Sequence, residues 1–284
     1  MKFSRPDADV FIPEPAGLAP EAALARTTHL CVIAHQDDIE INAYPAVAEC
    51  YGRSDRFFTG VTVTNGAGSP RAGKYAAITD AQMMDVRREE QRAAARLGKY
   101  NLQLQLAHPS ADVKKPGHAG VAVDLRAIFS ACRPTVVYLH QPCDKHDTHV
   151  AVLLRCLEAM RALPRADRPK RVVGVEAWRG LDWLMDNEKV PLDCAAHPEL
   201  ALKIMQVFDS QIAGGKRYDL AAIGRRQANA TFHTSHATDK FTEIAWAMDL
   251  TPLVADETLS VEEFTVGTID RLRADVAERL GRLS

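Results

Sequence analysis

A short apolar run, Leu30-Cys31-Val32-Ile33-Ala34, ends abruptly in His35-Gln36-Asp37-Asp38-Ile39-Glu40, and that junction constrains the chain more than any other stretch. The run is rich in the β-branched and small residues of a strand buried on both faces, the habit of parallel sheets. Residues 41–51 contain no glycine and read as the following helix, with Pro45 interrupting it.

Strand and helix keep alternating downstream. Residues 57–64 predict a second strand, ending in the Gly-rich loop Asn65-Gly66-Ala67-Gly68-Ser69. Met83, Val86, Glu90, Ala93 and Leu97 then recur at helical steps, closed by Gly98, with Arg87 one turn before Glu90. Leu102, Leu104 and Leu106 alternate with Gln103 and Gln105 as a half-exposed strand. A helix over 121–132, a buried strand over 135–140, a helix carrying Val150, Leu153, Leu154, Leu157 and Met160, and a strand over 171–178 follow. This order predicts an α/β fold with a Rossmann-like, largely parallel sheet and helices on both faces. Residues 198–212 read as helix, and Ile269, Leu272, Val276 and Leu280 mark a last amphipathic one. Pro6, Pro13, Pro15 and Pro20 make residues 1–20 an extended arm on a single domain of 284 residues.

A formal net charge of −2, with 46% hydrophobic and 25% charged residues, offers nothing to attract nucleic acid or an anionic membrane. No apolar run approaches the ~20 residues of a membrane span. The N-terminus lacks the apolar core of a signal peptide, and the six cysteines lack CxxC spacing, as expected of free thiols in a cytoplasmic protein. A homo-oligomer is compatible with this composition.

In open α/β sheets, ligands bind at the carboxyl ends of strands. His35, Asp37 and Asp38 crowd one such end, where adjacent carboxylates repel each other and a cation relieves the repulsion. Asp144-Lys145-His146-Asp147-Thr148-His149 follows the strand over 135–140 in the same way. His146 and His149, three residues apart around a helix start, can face one crevice. Together the clusters offer three metal ligands, His35, Asp38 and His149, with one position left open, as at a catalytic zinc. Asp37 is then placed to accept a proton and His146, in its protonated form, to stabilise charge on the far side. Capping aspartates and surface histidines explain either cluster alone, but less readily both at the ends of two strands.

AHQDDIE at 34–40, DxHxxH at 144–149 and Arg87-x-x-Glu90 resemble the signature of the PIG-L/LmbE-like zinc-dependent N-acetylglucosaminyl deacetylases. The similarity runs over residues 29–180, with a weaker echo at 203–211. The resemblance implies an LmbE-like fold with zinc on His35, Asp38 and His149. It also implies Asp37 as general base, His146 at the oxyanion and Arg87 near the sugar pocket. The implied reaction removes the N-acetyl group of an N-acetylglucosamine-type amino sugar or conjugate by attack of zinc-bound water. Iron or another divalent metal suits the same ligands. Three positions depart from the family pattern. Gln36 replaces the usual proline, the glycine pair that often opens the next helix is absent, and Thr148 stands where an aspartate often orients the histidine. That leaves Asp144 and Asp147 as candidate orienters.

Gly68 to Lys74 fits GxxxxGK, but Tyr75 replaces Ser/Thr and Pro70 interrupts the loop. A loop framing the crevice is the better reading, with Asn65 in reach of substrate. Trp178 and Arg179 suit sugar recognition, although a tryptophan is as often core. His233 and His236 form a second HxxH with no strand before it, and Lys216-Arg217 and Arg225-Arg226 read as solvated surface. No GxGxxG follows a strand, which argues against a dinucleotide. The nearest alternative is an amidase on another small N-acyl compound, such as a thiol conjugate. A non-haem iron enzyme, with two histidines and one carboxylate, comes next.

Overall fold

The computed structural model describes residues 1–13 and 17–284, so Pro15 of the expected arm lies outside the described residues. Among those residues one sheet contains β1 (Asp9–Phe11), β2 (His29–Ile33), β3 (Phe58–Thr64), β4 (Leu102–His108), β5 (Val136–His140), β6 (Val172–Val175), β7 (Lys189–Asp193) and β8 (Ile244–Asp249). Their spatial order is β1-β4-β3-β2-β5-β6-β8-β7. The strands from β4 to β6 in that order run parallel, as the alternation predicts. β1 pairs antiparallel with β4, and β8 antiparallel with both β6 and β7.

Helices α1 (Pro20–Ala25), α2 (Asp38–Asn42), α3 (Tyr44–Cys50), α4 (Asp80–Leu97), α5 (Ser110–Lys114), α6 (Ala119–Ala131) and α7 (Asp147–Arg161) precede β6. α8 (Pro198–Gln206), α9 (Asp209–Ile212), α10 (Tyr218–Phe232), α11 (Thr251–Ala255) and α12 (Val261–Leu283) follow β7. The pleat of β2 sends Leu30 and Val32 into one core with Leu125 and Val152, and Cys31 and Ile33 into the opposite core with Tyr44 and Ile204. From β2 the chain moves to β3 on one side, and later returns to β5 on the other. The switch point therefore lies at the carboxyl ends of β2 and β5, where both sequence clusters fall.

Several expectations change. The helix over 41–51 is two helices broken at Ala43, and Pro45 sits in the first turn of α3, where its missing N–H costs nothing. The segment 198–212 breaks likewise between α8 and α9. Within the arm, residues 9–11 are a paired edge strand rather than a loose extension. The strand near 171–178 closes at Val175. The buried face of α4 runs through Met83, Arg87, Glu90, Gln91 and Ala94, while Leu97 is exposed. On α12, Ile269, Val276 and Leu280 are exposed. Arg226, expected in solvent, is 3% exposed and donates to the Glu40 and Ile41 carbonyls at the end of α2. Among the described residues no helix is long and apolar enough to cross a membrane. All six cysteines are free thiols.

Candidate metal centre and its cleft

One tight turn carries His35, at the end of β2, and Asp38, at the start of α2. Asp38 Oδ2 accepts the His35 backbone N–H at 2.8 Å and lies 3.1 Å from His35 Nδ1. The first turn of α7 brings His149 Nε2 to 3.2 Å from His35 Nδ1 and 3.3 Å from Asp38 Oδ2. Three ligand atoms thus form a nearly equilateral triangle. Tetrahedral zinc with nitrogen and oxygen ligands ~2.0–2.1 Å away separates those atoms by about 3.3 Å, so donor set and spacing both fit a divalent metal. Around the same point, His35, His146 and His149, and also Asp38, His140 and His149, offer ligand atoms within 4.8 Å of one another.

Asp144 fixes the orientation of His149. Its carboxylate accepts the Nδ1–H at 2.9 Å, which leaves Nε2 as the nitrogen that faces the triangle. Burial alone would lower the His149 pKa, but Asp38 and Asp144 outweigh it and bring it up to about 10. Asp38, despite its burial, is held well below the usual carboxylate range by His149 and His35. The same negative charge that favours a proton here favours a cation.

Asp37 has φ 91°, in the region that favours glycine. Two residues of α4 hold the turn in place. Gln91 Oε1 accepts the Asp37 N–H at 3.3 Å, and Arg87 donates to the Gln36 carbonyl while lying 3.0 Å from Asp37 Oδ2. Arg87, 1% exposed, also donates to Glu90 Oε2 at 3.3 Å. The Glu90 carboxylate in turn accepts from the Ser210 N–H and hydroxyl at 2.6 and 2.7 Å. Backbone strain imposed on a carboxylate by its surroundings is a pointer to function. Burial pushes the Asp37 carboxyl up to about 6, against the downward pull of Arg87. Gln36 donates to the Thr64 carbonyl and Gln105 Oε1, tying the turn to β3 and β4.

A cleft of about 320 Å³ opens over these groups, with Arg87, Ser69, Gln211 and Lys216 on its polar wall and Trp178 and Tyr218 closing it. His146 lines it too, its ring 4.9 Å from His35 and stacked 4.6 Å from His149. Burial, with His149 and His35 adding to it, lowers its pKa, so the protonated His146 expected from sequence is disfavoured. Asn65 accepts the Ala67 N–H at 3.1 Å to shape the loop, and Gly66, Gly68, Ser69 and Pro70 rather than Asn65 line the cleft. Arg179 is exposed and borders an outer crevice with Trp178 and Trp183. Asp147 is exposed at the start of α7, so Asp144 is the carboxylate that reaches the cluster. His233 packs edge-on against Trp246 at 4.5 Å, and His236 is exposed, both away from the cleft.

Sequence reasoning passed over His140. This last residue of β5 is fully buried, accepts the Ala34 N–H at Nε2 at 2.9 Å and stacks on His149 at 3.8 Å. A histidine closing an apolar strand was the available signal. Tyr218 had none, because nothing in the surrounding sequence marks it. Ser210 and Gln211 had only the weak echo at 203–211.

Residues 30–160 match the family model described as PIG-L, GlcNAc-PI de-N-acetylase. No curated protein matches the chain. Among solved structures, the conserved protein TT1542 from Thermus thermophilus is similar at TM-score 0.61 and 16% identity, over 80% of this chain and 96% of that chain. The N,N'-diacetylchitobiose deacetylase from Pyrococcus horikoshii gives 0.58 and 17%, over 78% and 84%. GalB, the 4-carboxy-2-hydroxymuconate hydratase from Pseudomonas putida, gives 0.57 and 18%, over 79% and 96%. The family match upholds the resemblance read from the motifs, and the solved structures uphold the α/β fold. One fold carries both a deacetylase and a hydratase, so the reaction has to be argued from the site.

Proposed function

From a chain whose residues 30–160 match a de-N-acetylase family, we propose hydrolysis of the N-acetyl group of an N-acetylglucosamine-type amino sugar or its conjugate. The observation that carries the reading is the meeting of His35, Asp38 and His149 within 3.1–3.3 Å, beside the strained Asp37. Zinc is the metal we assign to these ligands, with iron(II) as the second choice. Bound there, a divalent cation supplies a Lewis acid for the amide carbonyl and an acidified water.

The chain's own residues do the rest. Asp37, with its carboxyl at about 6, is ionised at pH 7 and takes a proton from the attacking water. That proton affinity also lets it pass the proton to the leaving nitrogen. Arg87 fixes the position of the carboxylate from 3.0 Å. His146, in its neutral form, donates an N–H to the oxyanion that develops on the carbonyl. Asp144 keeps His149 in the ligating tautomer. Ser69, Gln211 and Lys216 offer hydrogen bonds to a sugar, and Trp178 offers an aromatic face.

Acetate release from N-acetylglucosamine and a panel of its conjugates, by metal-loaded and by chelated protein, tests the reading. Acetate that chelation abolishes is the expected result. No acetate from any member by protein that retains its metal overturns it.

A further inference from the structure

A second cavity, of about 200 Å³, opens off the cleft. Asp38, Ile41, Trp178 and Tyr218 line both, so the cavity begins at a metal-ligand candidate. Trp178 and Tyr218, edge to face at 6.2 Å, stand where the two spaces meet. The cavity walls are largely apolar and mostly short: Ala177 after β6, Ala221 and Ala222 on α10, and Ala245 on β8. Four alanines leave room that longer side chains would fill.

Three of the polar residues around the cavity are hydrogen-bonded to the fold, while Arg226 Nε and Nη1 are buried with no partner among the described residues. Glu176 accepts from Gln141 Nε2 at 2.7 Å and from the backbone N–H groups of Trp178 and Arg179. Arg226 donates to the Glu40 and Ile41 carbonyls, and Asn229 to the Ile244 carbonyl at 3.0 Å. The polar cleft residues Asp37, Arg87, Ser69, Gln211 and Lys216 do not line this cavity. An amide held at Asp38 therefore has a polar side and an apolar side.

Resting on the hydrolytic reading above, we propose that the apolar cavity takes the acyl chain, and that N-acyl groups longer than acetyl are hydrolysed in preference to N-acetyl. An acetyl methyl leaves most of about 200 Å³ empty. An apolar cavity of ~150 Å³ takes a benzene-sized guest, so there is room here for about six carbons beyond the carbonyl. The reaction is ordinary amide hydrolysis. The C–N bond breaks, the water oxygen joins the carbonyl carbon, and a water proton goes to nitrogen, giving a carboxylic acid and a free amine.

The test compares N-acetyl-, N-butanoyl- and N-hexanoylglucosamine as substrates of the metal-loaded protein. In parallel, acetate and hexanoate binding is measured by calorimetry, which needs no turnover. Each buried methylene gains about fourfold, so kcat/KM for hexanoyl should exceed that for acetyl by about 10²-fold, and hexanoate should bind more tightly than acetate. Ala222→Phe, which fills the cavity from α10, should cut the hexanoyl-to-acetyl ratio at least tenfold. Ala177→Leu, from another wall, should do the same. Hexanoate preferred in binding without turnover of any substrate removes the deacylase reading and keeps the acyl cavity. Acetyl preferred in turnover, with a ratio that neither variant moves, overturns the cavity assignment and leaves deacetylation standing. No preference for hexanoate in either measurement overturns the proposal.

Discussion

Arg87 Nη2 lies 3.0 Å from Asp37 Oδ2, and both side chains are almost wholly buried. Burial raises the carboxyl and the guanidinium lowers it, leaving it at about 6. Activity that needs ionised Asp37 therefore rises with pH through that value. Arg87→Met removes the lowering influence, so the acid limb of the kcat/KM profile should move to higher pH. It should also cost about 3–5 kcal/mol of stability, since Asp37 and Glu90 lose their shared cation. A pH–rate profile and urea denaturation check the two effects, and an acid limb that stays in place would separate Arg87 from Asp37.

Asp37→Asn keeps the size of the side chain and removes its basicity. Turnover should fall by about 10²–10⁴-fold, the range for a lost general base, while metal content stays that of the unmodified protein. Metal analysis beside steady-state kinetics reads both. Near-normal turnover would take the proton-accepting role away from Asp37.

Asp144 touches the proposed metal only through His149, which donates Nδ1–H to it at 2.9 Å. Asp144→Asn should weaken metal binding by about 10–100-fold, as for other carboxylates that orient a ligating histidine. His149→Ala should abolish tight binding. Competition with a chelator of known affinity ranks the two variants, and unchanged affinity in the Asn variant would show that the contact does not tune the ligand.

Glu40, fully buried on α2, accepts from the Tyr100 hydroxyl at 2.6 Å and Gln91 Nε2 at 2.9 Å, while its Oε2 has no partner among the described residues. Burial pushes its carboxyl up to about 8 from an ordinary 4.5. The folded protein therefore holds a proton that the unfolded chain releases. The associated stability is fully present below pH 4.5 and is lost as pH rises through 8. Glu40→Gln cannot ionise, so it should match the parent near pH 4.5 and exceed it at pH 9 by on the order of a few kcal/mol. Denaturation at the two pH values decides, and equal offsets at both would show that Glu40 does not titrate in this window.

The ligand triangle was legible because histidines and carboxylates are conspicuous against the apolar strands they terminate. The support for Asp37 was legible only in part. Helical periodicity put Met83 and Glu90 on the buried stripe of α4, and both are buried, but it also put Val86, Ala93 and Leu97 there. The buried face carries Arg87 and Gln91 in their place, polar side chains whose burial is offset by partners on other elements. Arg226 was misread for the same reason, since the carbonyls that receive it lie 186 and 185 positions away in the sequence. β7 is a half-exposed edge strand containing Pro191, and its pattern does not announce a strand.

The family match ends at residue 160, whereas the alanine walls beside Asp38 come from Ala177, α10 and β8. Ser210 and Arg226 of that later segment also hold Glu90 and the end of α2, so only the wall alanines are free to change the space beside Asp38 without loosening the turn at Asp37.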